Sequence, residues 1–179
     1  PTGLLVESFA YSTLLAGPEF GGWLAARQPR TDRVEPQRPP VRMELDTSTL
    51  RVTLDWPERR NAYGRAMRDG LVNALTLVDL DPSITMTHLS GTGPAFCSGG
   101  DLDEFGTAPD PATAHLIRTT RSAAALMHRC RDRVQVRVHG ACIGAGVELP
   151  AFASRVTATR DAFFGLPEVS MGLVPGAGG

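Results

Sequence analysis

The sequence predicts an α/β fold, because strand-like and helix-like segments alternate throughout residues 42–179. Residues 134–138 (VQVRV) place valine at every second position, which is typical of a β-strand. Residues 67–78 instead place apolar side chains three or four positions apart, as on one face of an α-helix. The chain contains no internal repeat, so one α/β domain is the simplest interpretation.

The first 41 residues differ in pattern from the rest of the chain. Residues 1–28 favour one or two short helices interrupted by a Gly-Pro step, and residues 30–42 are rich in proline and charge, which is typical of an extended linker. We therefore predict an N-terminal arm over residues 1–41, with short helices and a Pro-rich linker, and a core over residues 42–179. The aromatic side chains expected to pack this arm on a neighbouring surface are Phe9, Phe20 and Trp23.

The first half of the core is expected to run from a β-hairpin through a helix to a strand. Residues 43–54 alternate apolar and polar side chains on both sides of Asp46-Thr-Ser-Thr, which predicts the hairpin. The helical spacing of residues 67–78 ends at an Asp-Pro step, where proline stops a helix. Alternation returns over residues 84–89 and predicts the strand.

The second half of the core repeats the alternation of helix and strand. Residues 112–131 predict one long helix, and residues 134–138 predict the valine-rich strand. A short helix is expected from about residue 144 to residue 153, followed by strands over residues 156–159 and 162–165.

Composition excludes several classes of protein. The net charge of −1 offers no basic excess for nucleic acid, and no run of apolar residues is long enough to span a bilayer. The three cysteines, Cys97, Cys130 and Cys142, follow neither a zinc-binding nor a disulfide pattern. We therefore expect a cytoplasmic protein with reduced thiols, without metal, nucleic-acid partner or membrane segment.

Two glycine-rich turns follow predicted strands. Residues 140–148 (GACIGAGVE) and 94–105 (PAFCSGGDLDEF) both let the backbone turn sharply, and backbone N–H groups without intrahelical partners can bind a developing oxyanion. Taken alone, either stretch is better explained as a packing or surface turn.

Taken together, these turns resemble a known family. The stretches AFCSGGDLDEF, HGACIGAGVEL and FFGLPEVSMGLVPGAGG, preceded by WPERRNAY, resemble in order and spacing the crotonase superfamily of enoyl-CoA hydratases and isomerases. The resemblance covers residues 42–179 and implies a crotonase-like ββα superhelix core. The sequence ends at VPGAGG, where relatives continue, so we expect the core to lack the usual C-terminal helical region.

The resemblance also implies catalytic positions. Gly100 and Ala145 match the residues whose backbone N–H groups bind the thioester oxygen, although many relatives have alanine at the first position and glycine at the second. Glu148 and Glu168 match the acid/base pair of hydratases. His139, beside the second turn, is expected to hold that turn rather than to transfer protons.

Further positions match the surfaces on which relatives bind coenzyme A, which is part of the substrate, so no separate cofactor is expected. These substrate-binding residues are Ala62, Tyr63, Ser98, Gly99, Asp101 and Leu102. Asp101 can also order the first turn, together with Glu104. By resemblance the protein is expected to be a homo-oligomer, a trimer or a hexamer, that binds an acyl-CoA thioester.

The predicted activity is enoyl-CoA hydration, a hydro-lyase reaction of acyl-CoA and fatty acid metabolism. Glu168 is expected to donate a proton to carbon while Glu148 activates water. Alternatives on the same fold are double-bond isomerisation, thioester hydrolysis, decarboxylation, or a non-catalytic subunit that binds acyl-CoA or a partner chain.

Overall fold

Two sheets organise the core of the computed structural model, which describes residues 2–27 and 36–176. The larger sheet has five strands in the order β1-β2-β3-β5-β7, and the smaller has three in the order β4-β6-β8. The strands of the larger sheet are β1 Val41–Asp46, β2 Thr49–Leu54, β3 Met86–Gly91, β5 Val134–Val138 and β7 Arg155–Ala158. Those of the smaller sheet are β4 Ala95–Cys97, β6 Ala141–Ile143 and β8 Phe163–Gly165.

The two sheets are built by one repeated step along the chain. Strands β3, β5 and β7 each lead through a short turn into β4, β6 and β8, so consecutive strands alternate between the sheets. Pairing is parallel throughout except in the β1–β2 hairpin, which is antiparallel as predicted. This arrangement confirms the predicted α/β fold class.

Six helices accompany the strands in the described ranges. They are α1 Thr2–Leu15, α2 Pro18–Ala26, α3 Arg65–Leu80, α4 Pro111–Thr120, α5 Ala123–Arg129 and α6 Ala145–Glu148. None of these helices combines the length and the apolar character that crossing a bilayer requires.

The core lies between the larger sheet and helices α3 and α5. The predicted apolar positions of α3, including Met67, Leu71 and Leu75, are all at most 1% exposed. Valines at 134, 136 and 138 are buried in β5, whereas Arg137 between them is exposed. The side chains that the helical and strand periodicities predict to be buried are therefore buried in the structure.

One predicted helix is two helices in the structure. The expectation of a single helix over residues 112–131 is wrong, because α4 ends at Thr120 and α5 begins at Ala123. Ser122 has an extended backbone and its hydroxyl accepts a hydrogen bond from the Ala125 N–H at 3.1 Å, which caps α5. This N-cap favours the start of a second helix at Ala123, although the apolar spacing of the segment is continuous.

The predicted helix over about 144–153 is also shorter than expected. Helix α6 ends at Glu148, and a separate 3₁₀ turn follows over Pro150–Phe152. Pro150 has no backbone N–H to donate, so the α-helical hydrogen bonds cannot continue through it. Glu148 consequently lies in the last turn of a very short helix.

Helices α1 and α2 lie where the sequence predicted short helices. Phe20 is 3% exposed and packs with Trp23 and Phe105, while Phe9 stacks on His115 and stays 55% exposed. The predicted linker falls partly on residues 28–35, outside the described ranges, and residues 36–40 form neither helix nor strand. The division of the chain at residue 41 stays a prediction.

Candidate functional site

A cavity of about 400 Å³ lies between the two glycine-rich turns and the 3₁₀ turn Glu168–Met171. The first turn, residues 98–100, follows β4, and the second, residues 143–145, joins β6 to α6. Glu148 and Glu168 line the same cavity. The structure thus brings together all four predicted catalytic residues at one cavity.

The first turn is fixed by pairing with the segment before α3. The Tyr63 N–H donates to the Gly99 carbonyl at 2.8 Å, and the Asp101 N–H donates to the Tyr63 carbonyl at 3.2 Å. Gly99 has a φ of 94°, a left-handed conformation that favours glycine. Tyr63 and Gly99, both predicted to bind substrate, therefore form the frame on which the turn is built.

Acidic residues after this turn form ion pairs across its base. Arg59 Nη2 lies 2.7 Å from Asp101 Oδ1 and 2.8 Å from Asp103 Oδ2, and Asp103 also pairs with Arg27 at 2.6 Å. The hydrogen bond from Arg59 is the main cause that lowers the pKa of Asp103 below its usual range. Glu104 accepts a hydrogen bond from the Arg65 N–H at 2.7 Å. These contacts order the turn.

The second turn depends on glycine at position 144. Gly144 has a φ of 48°, and its N–H donates to the Gly165 carbonyl at 2.9 Å. A Cβ added there would lie 2.6 Å from Glu168 Oε1 and 3.7 Å from the Gly99 Cα. The absence of a side chain lets the Glu168 carboxylate and the first turn both approach this backbone closely.

Gly100 and Ala145 both line this cavity. In residues 2–27 and 36–176, neither N–H donates a hydrogen bond to a protein acceptor. An amide that lies at a cavity wall without a protein acceptor is available to a ligand oxygen. That the two N–H groups converge on a single oxygen, within roughly 6 Å of each other, stays a prediction.

The two glutamates differ in their surroundings. Glu168 is 8% exposed, and its Oε2 is buried without a hydrogen-bond partner among the described residues. Glu148 is half-buried, and its Oε1 accepts a hydrogen bond from the Gly176 N–H at 3.2 Å. A buried carboxyl oxygen without a partner costs free energy, so its retention is typical of a group that contacts a ligand.

A second cavity of about 620 Å³ adjoins the first, and Ser98, Gly100 and Leu102 line both. Ala62 and Asp101 complete the predicted substrate-binding residues on its wall. Its other lining residues include Arg27, Arg59 and Arg60, which the sequence analysis did not select. Glu58, Asp101 and Asp103 line the same cavity, so acidic and basic side chains are mixed on its wall. The Arg59-Arg60 pair directly before Asn61-Ala62 was the available signal for the arginines.

Two aromatic residues of the N-terminal helices were also missed. Tyr11 and Trp23 line the first cavity beside Gly100 and Glu148. The sequence analysis selected Trp23 only as a residue that packs the arm and did not select Tyr11, because their position at the cavity depends on how α1 and α2 fold back on the core.

The remaining candidates have structural contacts. His139 Nε2 donates to the Gly93 carbonyl at 2.9 Å, which fits the expectation that this histidine holds the turn. Burial raises the pKa of the Cys97 thiol to about 12 and also raises that of Cys142, so neither is a ready nucleophile. Within the described ranges, no group of three or more His, Cys, Asp or Glu side chains is arranged to hold a metal ion.

Comparisons with known proteins place this geometry in a family context. The family model for enoyl-CoA hydratase/isomerase matches residues 44–179. A 2,3-dehydroadipyl-CoA hydratase of Escherichia coli K12 is 36% identical over 130 residues, which cover 73% of this chain and 50% of that protein. A peroxisomal Δ(3,5)-Δ(2,4)-dienoyl-CoA isomerase of Arabidopsis thaliana is 28% identical over 150 residues, which cover 77% of this chain and 54% of that protein.

Solved structures show the same likeness. The crystal structure of an enoyl-CoA hydratase from Mycobacterium smegmatis is 31% identical, with a TM-score of 0.68 over 76% of this chain and 54% of that one. This similarity confirms the predicted crotonase-like core. The chain spans about half the length of the curated relatives it matches.

Proposed function

Because the chain belongs to the enoyl-CoA hydratase/isomerase family, we propose that it adds water across the double bond of an enoyl-CoA thioester. The observation that carries the proposal is the single cavity lined by two carboxylates and by two backbone amides without protein acceptors in the described ranges. Hydration needs both kinds of group, since charge develops on the thioester oxygen while protons move at two other atoms.

The amides of Gly100 and Ala145 bind the thioester oxygen in this mechanism. When water attacks the β-carbon, the double-bond electrons move toward the thioester and negative charge develops on its oxygen. Two preorganised N–H donors stabilise that enolate, and loss of one such donor typically costs about 3–4 kcal/mol of transition-state stabilisation. Both donors are backbone groups, so the alanine at position 145 serves as well as a glycine.

The two glutamates move the protons. Glu148 is half-buried, where water can reach it, and takes a proton from the attacking water. Glu168, buried beside Gly144, donates a proton to the α-carbon as the enolate collapses. The substrate thereby gains the hydroxyl of the water at the β-carbon and the proton of Glu168 at the α-carbon, which together are one water molecule. The proton that Glu148 took from the water returns to Glu168 through solvent and resets the pair.

The second cavity accommodates the coenzyme A portion of the substrate in this proposal. It adjoins the first along Ser98 and Leu102, so a thioester placed at Gly100 can extend into both. Arg27 and Arg59 on its wall are ion-paired with Asp101 and Asp103, whereas the described residues show no ion pair for Arg60. Arg60 is therefore the side chain proposed to contact a phosphate of the ligand.

Isomerisation is the second candidate, favoured by the dienoyl-CoA isomerase among the relatives. Moving a double bond also forms an enolate, but it takes and returns a proton on carbon and consumes no water. Glu168 alone can perform that transfer, with Glu148 then contributing little.

We also propose a cytoplasmic homo-oligomer, a trimer or a hexamer. The support for assembly is the apolar surface around β8, where Phe163, Phe164 and Leu166 are 58%, 56% and 48% exposed. The support for a reducing compartment is that Cys97, Cys130 and Cys142 are all free.

The experiment that tests the proposal is an activity assay of the chain with a small panel of enoyl-CoA thioesters. Hydration removes the ultraviolet absorbance of the conjugated double bond and adds the mass of water. A product of unchanged mass with a moved double bond identifies an isomerase, and release of free thiol identifies a hydrolase. Binding of the thioesters without any turnover would overturn the catalytic proposal.

A further inference from the structure

We propose that helices α1 and α2 form a roof over the acyl end of the catalytic cavity, where Tyr11 and Trp23 select substrates with an uncharged, apolar acyl tail. The inference rests on the proposed function in that an acyl-CoA occupies this cavity. The two helices precede the residues that match the family model, which begin at residue 44, so the roof lies outside the part of the chain that this model describes.

The two aromatic side chains are part of the catalytic cavity wall. Tyr11 and Trp23 line the same space as Ala145, Glu148 and Glu168. Tyr11 is 6% exposed, and burial raises its pKa, although the charge of Arg118, which does not line this cavity, acts in the opposite direction. Its hydroxyl therefore stays protonated and neutral at physiological pH, as a wall residue requires.

Contacts from α4 hold α1 in this position. The guanidinium of Arg118 lies 4.8 Å from the centroid of the Tyr11 ring, and its Nε donates to the Ser8 hydroxyl at 3.2 Å. His115 Nδ1 lies 3.0 Å from the same hydroxyl, and its ring stacks on Phe9 at 4.3 Å between centroids. These polar and stacking contacts fix the rotation of α1, which directs Tyr11 toward the cavity.

Helix α2 is attached to the first glycine-rich turn. Trp23 packs edge-on against Phe105 at 6.3 Å between ring centroids, and both rings pack near Phe20. Phe105 in turn covers Gly100, where an added Cβ would lie 2.6 Å from the phenyl ring. The roof is therefore in contact, through one side chain, with a residue that supplies a proposed oxyanion donor.

The chemistry of the wall indicates which acyl tail fits. The described residues that line the cavity include no Arg, Lys or His side chain, but they include the two glutamates. Trp23, Phe105, Ile143 and Met171 supply apolar surface. A tail that ends in a carboxylate would be buried without a cation and near two acidic groups, which is unfavourable, whereas an alkyl tail gains from burial.

The test measures kcat/KM for enoyl-CoA substrates whose acyl tails differ in length and charge, in the wild-type chain and in variants of the roof. Wild type is expected to favour octenoyl-CoA over an enoyl-CoA with a carboxylate-ended tail by at least about tenfold in kcat/KM. Trp23→Ala removes a wall and is expected to change the octenoyl-to-crotonyl ratio of kcat/KM by about tenfold or more. Trp23→Phe, which keeps an aromatic wall, should stay near the wild-type ratio.

Val6→Ala is the matched control, because Val6 lies on α1 but is 60% exposed and lines none of the cavities described above. Its octenoyl-to-crotonyl ratio should equal that of wild type. An unchanged ratio in a folded Trp23→Ala variant would overturn the roof, as would equal turnover of apolar and carboxylate-ended substrates.

A binding measurement separates this inference from the proposed reaction. Saturated octanoyl-CoA cannot be hydrated, and its binding is expected to change the tryptophan fluorescence of the wild-type chain. The part of this change that the Trp23→Phe variant lacks is assigned to Trp23. If this signal appears and no enoyl-CoA is turned over, the roof stands and the proposed function fails. If enoyl-CoA is hydrated while the Trp23 signal and the substrate ratios do not change, the function stands and the roof fails.

Discussion

The carboxylate of Glu168 lies directly against the backbone of Gly144, where a side chain would come within 2.6 Å of Oε1. This contact joins the glycine-bearing turn at Gly144 to the proline-bearing turn before Glu168, two positions that are 24 residues apart in the sequence. It also means that the position of one proposed acid/base group depends on the absence of an atom on another turn.

Gly144→Ala should therefore reduce activity by more than the addition of one methyl group would suggest. The new methyl group displaces the Glu168 carboxylate and sits at a φ of 48°, a conformation that costs a non-glycine residue about 1 kcal/mol or more. We expect hydration to fall by at least about tenfold, since misplacing a catalytic group is costly. Steady-state kinetics and thermal unfolding measure the two effects.

Gly22→Ala is the matched control for this substitution. Gly22 lies in α2 with no atom within 4 Å of an added Cβ, so alanine should stabilise the helix by about 0.5–1 kcal/mol and leave kcat unchanged. Wild-type turnover in Gly144→Ala would show that the close approach to Glu168 has no role in catalysis.

Glu168→Gln keeps the shape of the side chain and removes its titratable proton. We expect hydration to fall by about 100-fold or more, because proton transfer to the α-carbon loses its donor. Acyl-CoA binding should persist, since the proposed oxygen contacts are backbone amides. Turnover and the binding of a saturated acyl-CoA are measured on the same preparation.

Glu148→Gln distinguishes the two candidate reactions. A hydratase should lose about 100-fold or more with this variant also, because the attacking water loses its base. An isomerase that relies on Glu168 alone should retain most of its activity. Wild-type hydration rates in both glutamine variants would make the carboxylates structural and the mechanism wrong.

Periodicity was sufficient to predict the elements that bury a regular face. The valines of β5 and the apolar positions of α3 are buried as predicted, because each side chain's face is set by its spacing alone. The turns around the candidate site were identified through their resemblance, in residue order and spacing, to the crotonase superfamily, and Gly100, Ala145, Glu148 and Glu168 line one cavity.

The sequence was less informative where tertiary contacts decide. Met43 and Leu45 alternate in β1 as a strand requires, yet they are 47% and 56% exposed, because alternation does not tell which face is covered. Tyr11 and Trp23 reach the cavity only through contacts with α4 and Phe105, which are distant in sequence. A cap likewise overrode the continuous apolar spacing at Ser122.

Ser122→Ala tests that cap. The hydroxyl that accepts from the Ala125 N–H is lost, so we expect the free energy of unfolding to fall by about 1 kcal/mol. Ser122→Asp preserves an acceptor at the same position and should remain close to wild type. Chemical denaturation of the three proteins measures the difference, and equal stability of Ser122→Ala and wild type would mean that the cap does not cause the break.

Arg59→Met tests the ion pairs that order the first turn. The Arg59, Asp101 and Asp103 side chains are 13%, 7% and 10% exposed, so removing the shared cation leaves acidic groups that are largely buried. Loss of one partner of a buried ion pair typically costs about 3–5 kcal/mol. We expect a loss near the lower end of that range, because Arg27 still pairs with Asp103. Arg51→Met removes a pair whose side chains are 54% and 70% exposed, and should cost less than about 1 kcal/mol.

The stability lost in Arg59→Met should depend on pH in a defined direction. Asp103 has a pKa lowered by Arg59, so the folded state binds fewer protons at this group than the unfolded state does. This contribution to stability is complete above the ordinary pKa of an aspartate and is lost as the pH falls through the lowered folded-state pKa. The difference in unfolding free energy between wild type and Arg59→Met should therefore be largest near neutral pH and shrink in acid, as measured by denaturation at a series of pH values. A difference that stayed constant into acid would mean that Arg59 stabilises the turn through packing on Trp56, 5.9 Å from its guanidinium, rather than through its charge.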